Sequence, residues 1–138
     1  MSFTRCGVSK SGFRLLTALP ILLYSALIFT LSSFPQPDFV DLGFDLSDKL
    51  LHLAEYFVFG IFSIIALNGY RPDMAKYKAV LLIVFIGFLY GLSDEAHQYF
   101  VPGRVADIGD LAADTAGVLL SLITIKYIGN FLLRYRPA

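Results

Sequence analysis

Residues 79–98 read AVLLIVFIGFLYGLSDEAHQ, an unbroken apolar run followed by a short polar segment. About 20 apolar residues are needed for a helix to cross a bilayer. The run therefore predicts a membrane-spanning helix over residues 77–98. Four of the last five residues are polar, so the polar side chains of this helix gather at one end.

Three more segments have a similar length and character, at residues 14–32, 50–69 and 107–128. Over the whole chain of 138 residues, 57% are hydrophobic and 16% are charged, against about 25% charged in soluble domains. Helices of a soluble bundle would show a polar stripe along their whole length. The sequence predicts an all-α membrane protein, a single domain over residues 1–138 that forms a bundle of about four transmembrane helices.

The basic residues are distributed unevenly between the two sides of these segments. Of eleven Lys and Arg residues, three precede the first span, three lie between residues 71 and 78, and three lie near the C-terminus. Only Lys49 and Arg104 lie in the other two connections. Because cytoplasmic loops carry an excess of basic residues, both termini are predicted to be cytoplasmic. The first and third connections then face the extracytoplasmic side.

Polar residues recur at helical spacing on the second, third and fourth predicted helices, so each set shares one helix face. The sets are Asp48, His52 and Glu55, then Asp94 and Gln98 with Glu95 and His97 beside them, then Asp107, Asp110 and Asp114. An ionised carboxylate that faces lipid costs about 2.5 kcal/mol or more. We therefore expect the three faces to meet in a shared polar pocket at the extracytoplasmic end of the bundle.

The two cations on that side are candidate ligands for an anion. Lys49 offers a point charge, and the fork of Arg104 binds phosphate or carboxylate at two points. In this interpretation the pocket binds an anionic lipid or a lipid-linked precursor. The cations contact its headgroup, and Asp48, Glu55, Asp94, Gln98 and Asp114 contact sugar, amine or peptide groups.

An enzyme is the alternative interpretation, with Glu95 or His52 as a general base and Asp107 or Asp110 as an electrostatic partner or metal ligand. Carboxylates from three helices suit a divalent cation, although no spacing demands one and the identity of any metal stays unknown. Ser93 is a weak nucleophile candidate because no nucleophile-elbow sequence surrounds it. A third alternative is a small transporter, since acids within a membrane often line ion paths.

Structural roles also explain much of this pattern. His52 and Glu55 suit a hydrogen-bonded pair between helices as well as they suit chemistry. Asp107 and Asp110 lie where acids favourably meet the dipole at the start of a helix. Nucleic acid is not an expected partner, because the few cytoplasmic charges fit topology alone. A homo-oligomer stays open.

Several residue strings carry a resemblance to a known family. They are Asp48-Lys49-x-x-His52-x-x-Glu55-Tyr56, then Ser93-Asp94-Glu95-x-x-Gln98-x-Phe100-x-Pro102-x-Arg104-x-x-Asp107-x-x-Asp110, and Gly117. Over roughly residues 20–125, the sequence resembles the VanZ-like family of multi-span membrane proteins. It departs from the family pattern at Asp114, where Asn is usual, and at Ser121, where Gly is usual.

The resemblance implies a protein of the bacterial cytoplasmic membrane that acts at the cell envelope. The member that gives the family its name is linked to resistance to the glycopeptide antibiotic teicoplanin, by a mechanism that is not established. The resemblance therefore implies an effect on glycopeptide susceptibility, and it supplies no reaction.

Overall fold

The fold is a bundle of four α-helices, as predicted. A computed structural model describes residues 10–35 and 45–134, with side chains described for residues 11–35 and 48–127. The helices are α1 (Lys10–Ser32), α2 (Asp45–Tyr70), α3 (Lys76–Gln98) and α4 (Ile108–Arg134), and the described residues contain no strand. Each helix contains a stretch of 20 to 23 residues that is long and apolar enough to cross a membrane, with mean hydropathy between 1.6 and 2.0. The side of the membrane that each terminus faces stays a prediction.

The helices end where the sequence disfavours further helix. Helix α1 stops before Pro35, and α2 stops before the Arg71-Pro72 turn, because proline disfavours helix in the residue before it. The turn between α3 and α4 contains Gly103, whose φ of 78° is a conformation that other residues rarely adopt. Asp107 then caps α4, since its Oδ1 accepts the backbone N–H of Gly109 at 2.8 Å.

Helices α2 and α4 pack most closely, and two small residues allow it. A Cβ atom at Gly117 would overlap the carbonyl oxygen of Leu53 and lie 2.8 Å from the backbone nitrogen of Phe57. The glycine therefore lets the backbones of α2 and α4 touch, as small residues do at membrane helix interfaces. A Cβ atom at Gly60 in α2 would overlap the side chain of Ser121 in α4.

The buried core lies between the helices in the middle of the bundle. It consists of Ile28, Tyr56, Phe59, Ile83 and Val118. The rings of Phe59 and Tyr90 stack with their centroids 5.1 Å apart. Large apolar side chains elsewhere point outward, with Leu15, Leu22 and Leu81 all more than 60% exposed. Only a small share of each span is buried within the bundle, so most of its apolar side chains face outward, as they do in a lipid environment.

Candidate functional site

Polar residues from three helices meet at one end of the bundle. Nδ1 of His52 in α2 lies 3.0 Å from Oδ1 of Asp114 in α4. Nζ of Lys49 donates to Oδ2 of Asp107 at 2.7 Å. The backbone N–H of Asp107 in turn donates to Oε2 of Glu95 in α3 at 2.8 Å. The start of α2, the end of α3 and the start of α4 therefore build one polar cluster.

His52 and Asp114 form the buried centre of this cluster. Their side chains are 6% and 0% exposed, so the pair is shielded from solvent on all sides. Nδ1 of His52 and Oδ1 of Asp114 share one hydrogen bond, whose proton lies on the imidazole when the carboxylate is ionised. This contact fixes the imidazole ring and leaves its second nitrogen, Nε2, to exchange a proton.

Glycines create the space that this pair occupies. The close approach of α2 and α4 at Gly117 brings His52 within reach of Asp114, one turn earlier on α4. On α3, a Cβ atom at Gly91 would lie 2.8 Å from Oδ2 of Asp114. A larger residue at position 91 would therefore displace this carboxylate.

Lys49 joins the two acids at the start of α4. Besides Asp107, it lies 3.4 Å from Oδ1 of Asp110, which is buried. The Lys49 ammonium and the N–H of Gly109 stabilise the charged form of Asp107, so its pKa lies below the ordinary value. Asp107 therefore both caps α4 and belongs to the polar cluster.

Glu95 and Asp114 each keep one carboxylate oxygen without a hydrogen-bond partner among the described residues. These atoms, Oε1 of Glu95 and Oδ2 of Asp114, are fully shielded from solvent. The hydroxyl of Tyr56 is in the same situation. By contrast, Asp94 is buried and accepts a hydrogen bond from Gln98 one turn later, at 3.2 Å. A buried polar atom without a partner calls for an explanation such as a bound ion, water or substrate.

Two groups of three residues have the spacing to hold a metal ion. The first is His52, Glu95 and Asp114, and the second is Asp48, His52 and Asp110. In each group, one ligand atom per residue lies within 4.8 Å of the other two. Among the described residues, carboxylates and an imidazole suited to a cation are thus brought together.

Three residues expected in the site have weaker contacts. Arg104 is half-buried and directs Nε and Nη2 to the carbonyl oxygens of Phe34 and Leu31, both at 3.5 Å, at the end of α1. Neither Asp48 nor Glu55 makes a side-chain hydrogen bond to a described residue. His52 bonds to Asp114 on α4 and not to Glu55 on its own helix.

Other sequence candidates lie outside the cluster. The hydroxyl of Ser93 donates to the carbonyl of Tyr90 in its own helix, at 2.7 Å, which gives it a structural role. His97, which lies off the polar face of α3, stacks on Phe29 and lies 2.9 Å from Oγ of Ser33. This contact ties α3 to the end of α1.

Next to the carboxylates lies an open apolar groove between α3 and α4, with a volume of about 460 Å³. Glu95 and Asp107 form its polar edge. Its other lining residues are Leu92, Ala96, Tyr99, Phe100, Ala106, Ile108 and Leu111. Sequence reasoning missed this groove, and the only signal was the run of apolar residues in the turn between two polar motifs.

Comparison with known proteins places the chain in a family. No curated protein and no solved structure matches it. The family model described as VanZ/LLP1 matches residues 8–132, which include all four helices almost completely and every residue of the polar cluster. From the match along nearly its whole length, the chain belongs to the VanZ/LLP1 family.

Proposed function

We propose that this membrane protein binds an anionic lipid or a lipid-linked envelope precursor at the polar end of its bundle. The observation that carries the proposal is the contact between the apolar groove and the polar cluster. Glu95 and Asp107 belong to both, at the boundary between the groove and the cluster. A ligand that fills both parts must be amphiphilic, with an acyl or prenyl chain beside Leu111 and a polar headgroup beside Glu95.

The headgroup would lie near Arg104. The hydrogen bonds from Arg104 to the carbonyls at the end of α1 are long, at 3.5 Å, so they exchange readily for a phosphate oxygen. Lys49 already contacts two carboxylates, and a phosphate would have to compete with them. Arg104 is therefore the first contact we assign to an anionic headgroup, with Lys49 as a second.

The carboxylates would contact the remaining polar groups of the headgroup. Carboxylate oxygens accept hydrogen bonds from sugar hydroxyls and from amines. Asp94, Asp110 and Asp114 are buried, while Asp48 and Glu55 are half-buried toward the margin. In a bacterial envelope this end of the bundle would face the extracytoplasmic side, where an effect on teicoplanin susceptibility would arise from such a ligand.

Native mass spectrometry of the full chain in mild detergent tests the proposal. Wild type should retain a defined envelope lipid, and Arg104→Ala should lose it. Arg71→Ala is the matched control, because Arg71 is exposed in the turn between α2 and α3 and lies outside the polar cluster. If wild type retains no preferred lipid, or if both arginine variants retain it equally, the proposal is wrong.

A hydrolase or transferase is the second candidate, and the hydrogen bond between His52 and Asp114 favours it. An acid that orients one imidazole nitrogen prepares the other to take a proton from water or from a substrate hydroxyl. Glu95 beside this pair would act as a second base or hold an ion. The transporter alternative has no such support, because the buried polar residues beyond the pair in the described part of the chain are Ser63 and Ser121, whose hydroxyls bond to carbonyls of their own helices.

Turnover separates the two candidates. Purified protein would be incubated with envelope lipids with and without divalent ions, and wild type would be compared with His52→Gln. Cleavage or transfer that disappears in the variant would establish catalysis. Retention of intact lipid with no turnover in wild type would leave binding as the function.

A further inference from the structure

We propose that His52, Glu95 and Asp114 hold a divalent transition-metal cation of the Mn²⁺ or Zn²⁺ class. The three residues come from α2, α3 and α4, and one ligand atom from each lies within 4.8 Å of the others. Ligands about 2.1 Å from one ion lie within about 4.2 Å of one another. Three ligands cannot all be that far apart around one ion, so closing a 4.8 Å spacing requires each ligand atom to move by up to about 0.7 Å.

A second observation points to a ligand at this position. Oε1 of Glu95 and Oδ2 of Asp114 have no hydrogen-bond partner among the described residues. The two residues are 5% and 0% exposed, so bulk water does not solvate these atoms. A buried carboxylate oxygen is unfavourable unless a donor or a cation meets it. A cation bound to both carboxylates would satisfy the two atoms at once.

The surrounding charge favours a cation. The acidic side chains that surround the three residues are Asp48, Glu55, Asp94, Asp107 and Asp110, and the basic ones are Lys49 and Arg104. Arg104 lies at the margin and contacts backbone carbonyls. Lys49 contacts Asp107 and Asp110, toward the outer end of α4. Oε1 of Glu95 and Oδ2 of Asp114 thus receive no hydrogen bond from either basic residue.

The ligand set selects the class of ion. One imidazole nitrogen with two carboxylates suits Mn²⁺, Fe²⁺ or Zn²⁺, whereas Mg²⁺ and Ca²⁺ prefer oxygen ligands alone. Nδ1 of His52 and Oδ1 of Asp114 lie 3.0 Å apart, the spacing of neighbouring ligands on one ion, so the ion would take the place of the proton between them.

The group formed by Asp48, His52 and Asp110 is a poorer site. The ammonium of Lys49 lies 3.4 Å from Asp110 and would repel a cation there. Asp48 is also only half-buried, so water already solvates it. The two groups share His52, and a variant of Asp48 therefore distinguishes them.

Titration of the full chain with Mn²⁺ tests the site. Protein in detergent would be stripped of metal and lipid, and loss of the free-ion EPR signal would report binding. We expect one Mn²⁺ site in wild type and an affinity about tenfold or more lower in Glu95→Gln and Asp114→Asn. Glu55→Gln, a matched carboxylate on α2 outside the triad, and Asp48→Asn should change the affinity less than about threefold. Zn²⁺ should displace Mn²⁺, since it binds nitrogen and oxygen sites more tightly.

Several results would overturn the assignment. The assignment is wrong if folded wild type binds neither Mn²⁺ nor Zn²⁺. It is also wrong if Glu95→Gln and Asp114→Asn bind Mn²⁺ as tightly as wild type does, or if only Asp48→Asn loses affinity. If the variants do not fold, pulsed EPR of wild type with Mn²⁺ still decides, because coupling to one imidazole nitrogen is required. No lipid is present in this titration, so its outcome is independent of the lipid-binding proposal.

Discussion

The substitution Gly117→Ala tests whether close packing of α2 and α4 builds the site. The added Cβ would overlap the carbonyl oxygen of Leu53 and lie 2.8 Å from the nitrogen of Phe57. Both atoms belong to the backbone of α2, so no side-chain rotation relieves the overlap. The helices must therefore move apart, by about the half to one ångström that separates such a contact from ordinary van der Waals distance.

This separation has a predicted cost and a predicted consequence. Overpacking of this kind costs about 1–3 kcal/mol, and the better helix propensity of alanine returns at most about 1 kcal/mol. The net loss of unfolding free energy should be about 1–2 kcal/mol. The bond between His52 and Asp114 crosses the same interface at 3.0 Å and should lengthen beyond hydrogen-bonding distance.

Unfolding in SDS, followed by circular dichroism at 222 nm, measures the stability change. Ala116→Val is the control, because Ala116 is an exposed neighbour on α4 where added volume meets lipid or detergent. We expect Gly117→Ala to unfold at a lower SDS fraction while Ala116→Val stays close to wild type. Equal stability of the three proteins would refute the packing argument.

Three further predictions follow from contacts in and around the cluster. Tyr90→Phe removes the 2.6 Å hydrogen bond to the carbonyl of Ser25 and should cost about 0.5–1.5 kcal/mol in the SDS assay, whereas Tyr77→Phe, at an exposed phenol, should cost nothing measurable. His52→Leu should destabilise the protein because it leaves Asp114 buried without a donor, and the double variant with Asp114→Leu should recover part of the loss. A loss in the double variant equal to the sum of the two single losses would contradict a coupled pair. Contact with Lys49 lowers the pKa of Asp107 in the folded protein below its unfolded value, which is near 4. The stability that Asp107 contributes is therefore fully present above about pH 4 and is lost as the pH falls through the folded pKa. Lys49→Met should flatten this acid dependence of the unfolding midpoint, and an unchanged pH profile would speak against the ion pair.

The membrane fold could be predicted from the sequence because length and hydropathy decide it. The run from Ala79 to Leu92 has few alternatives to a spanning helix, and the three other runs have the same character. Polar spacing also indicated which faces of the helices carry the cluster. Both signals are local along the chain, so one sequence suffices to find them.

The partners within the cluster could not be predicted, because they depend on helix rotation and depth. His52 has Glu55 on its own face, yet it bonds to Asp114 from α4. That choice follows from the contact of Gly117 with the α2 backbone, which sets the relative positions of the helices. Likewise, no residue pattern indicated that Arg104 would contact the end of α1. The apolar lining of the groove has the same composition as any surface that faces lipid.

Photocrosslinking tests most directly whether an amphiphile lies in the groove with its headgroup at the carboxylates. Full-length protein in vesicles would carry a trace of anionic lipid with a diazirine on its acyl chain, and labelled peptides would be mapped. We predict labelling concentrated at Phe100, Ile108 and Leu111, reduced by Ala96→Phe, which fills the groove, and unchanged by Ala54→Phe at an exposed position of α2 outside it. Labelling spread evenly over the exposed apolar residues of all four helices, and equal in both variants, would contradict the proposed function.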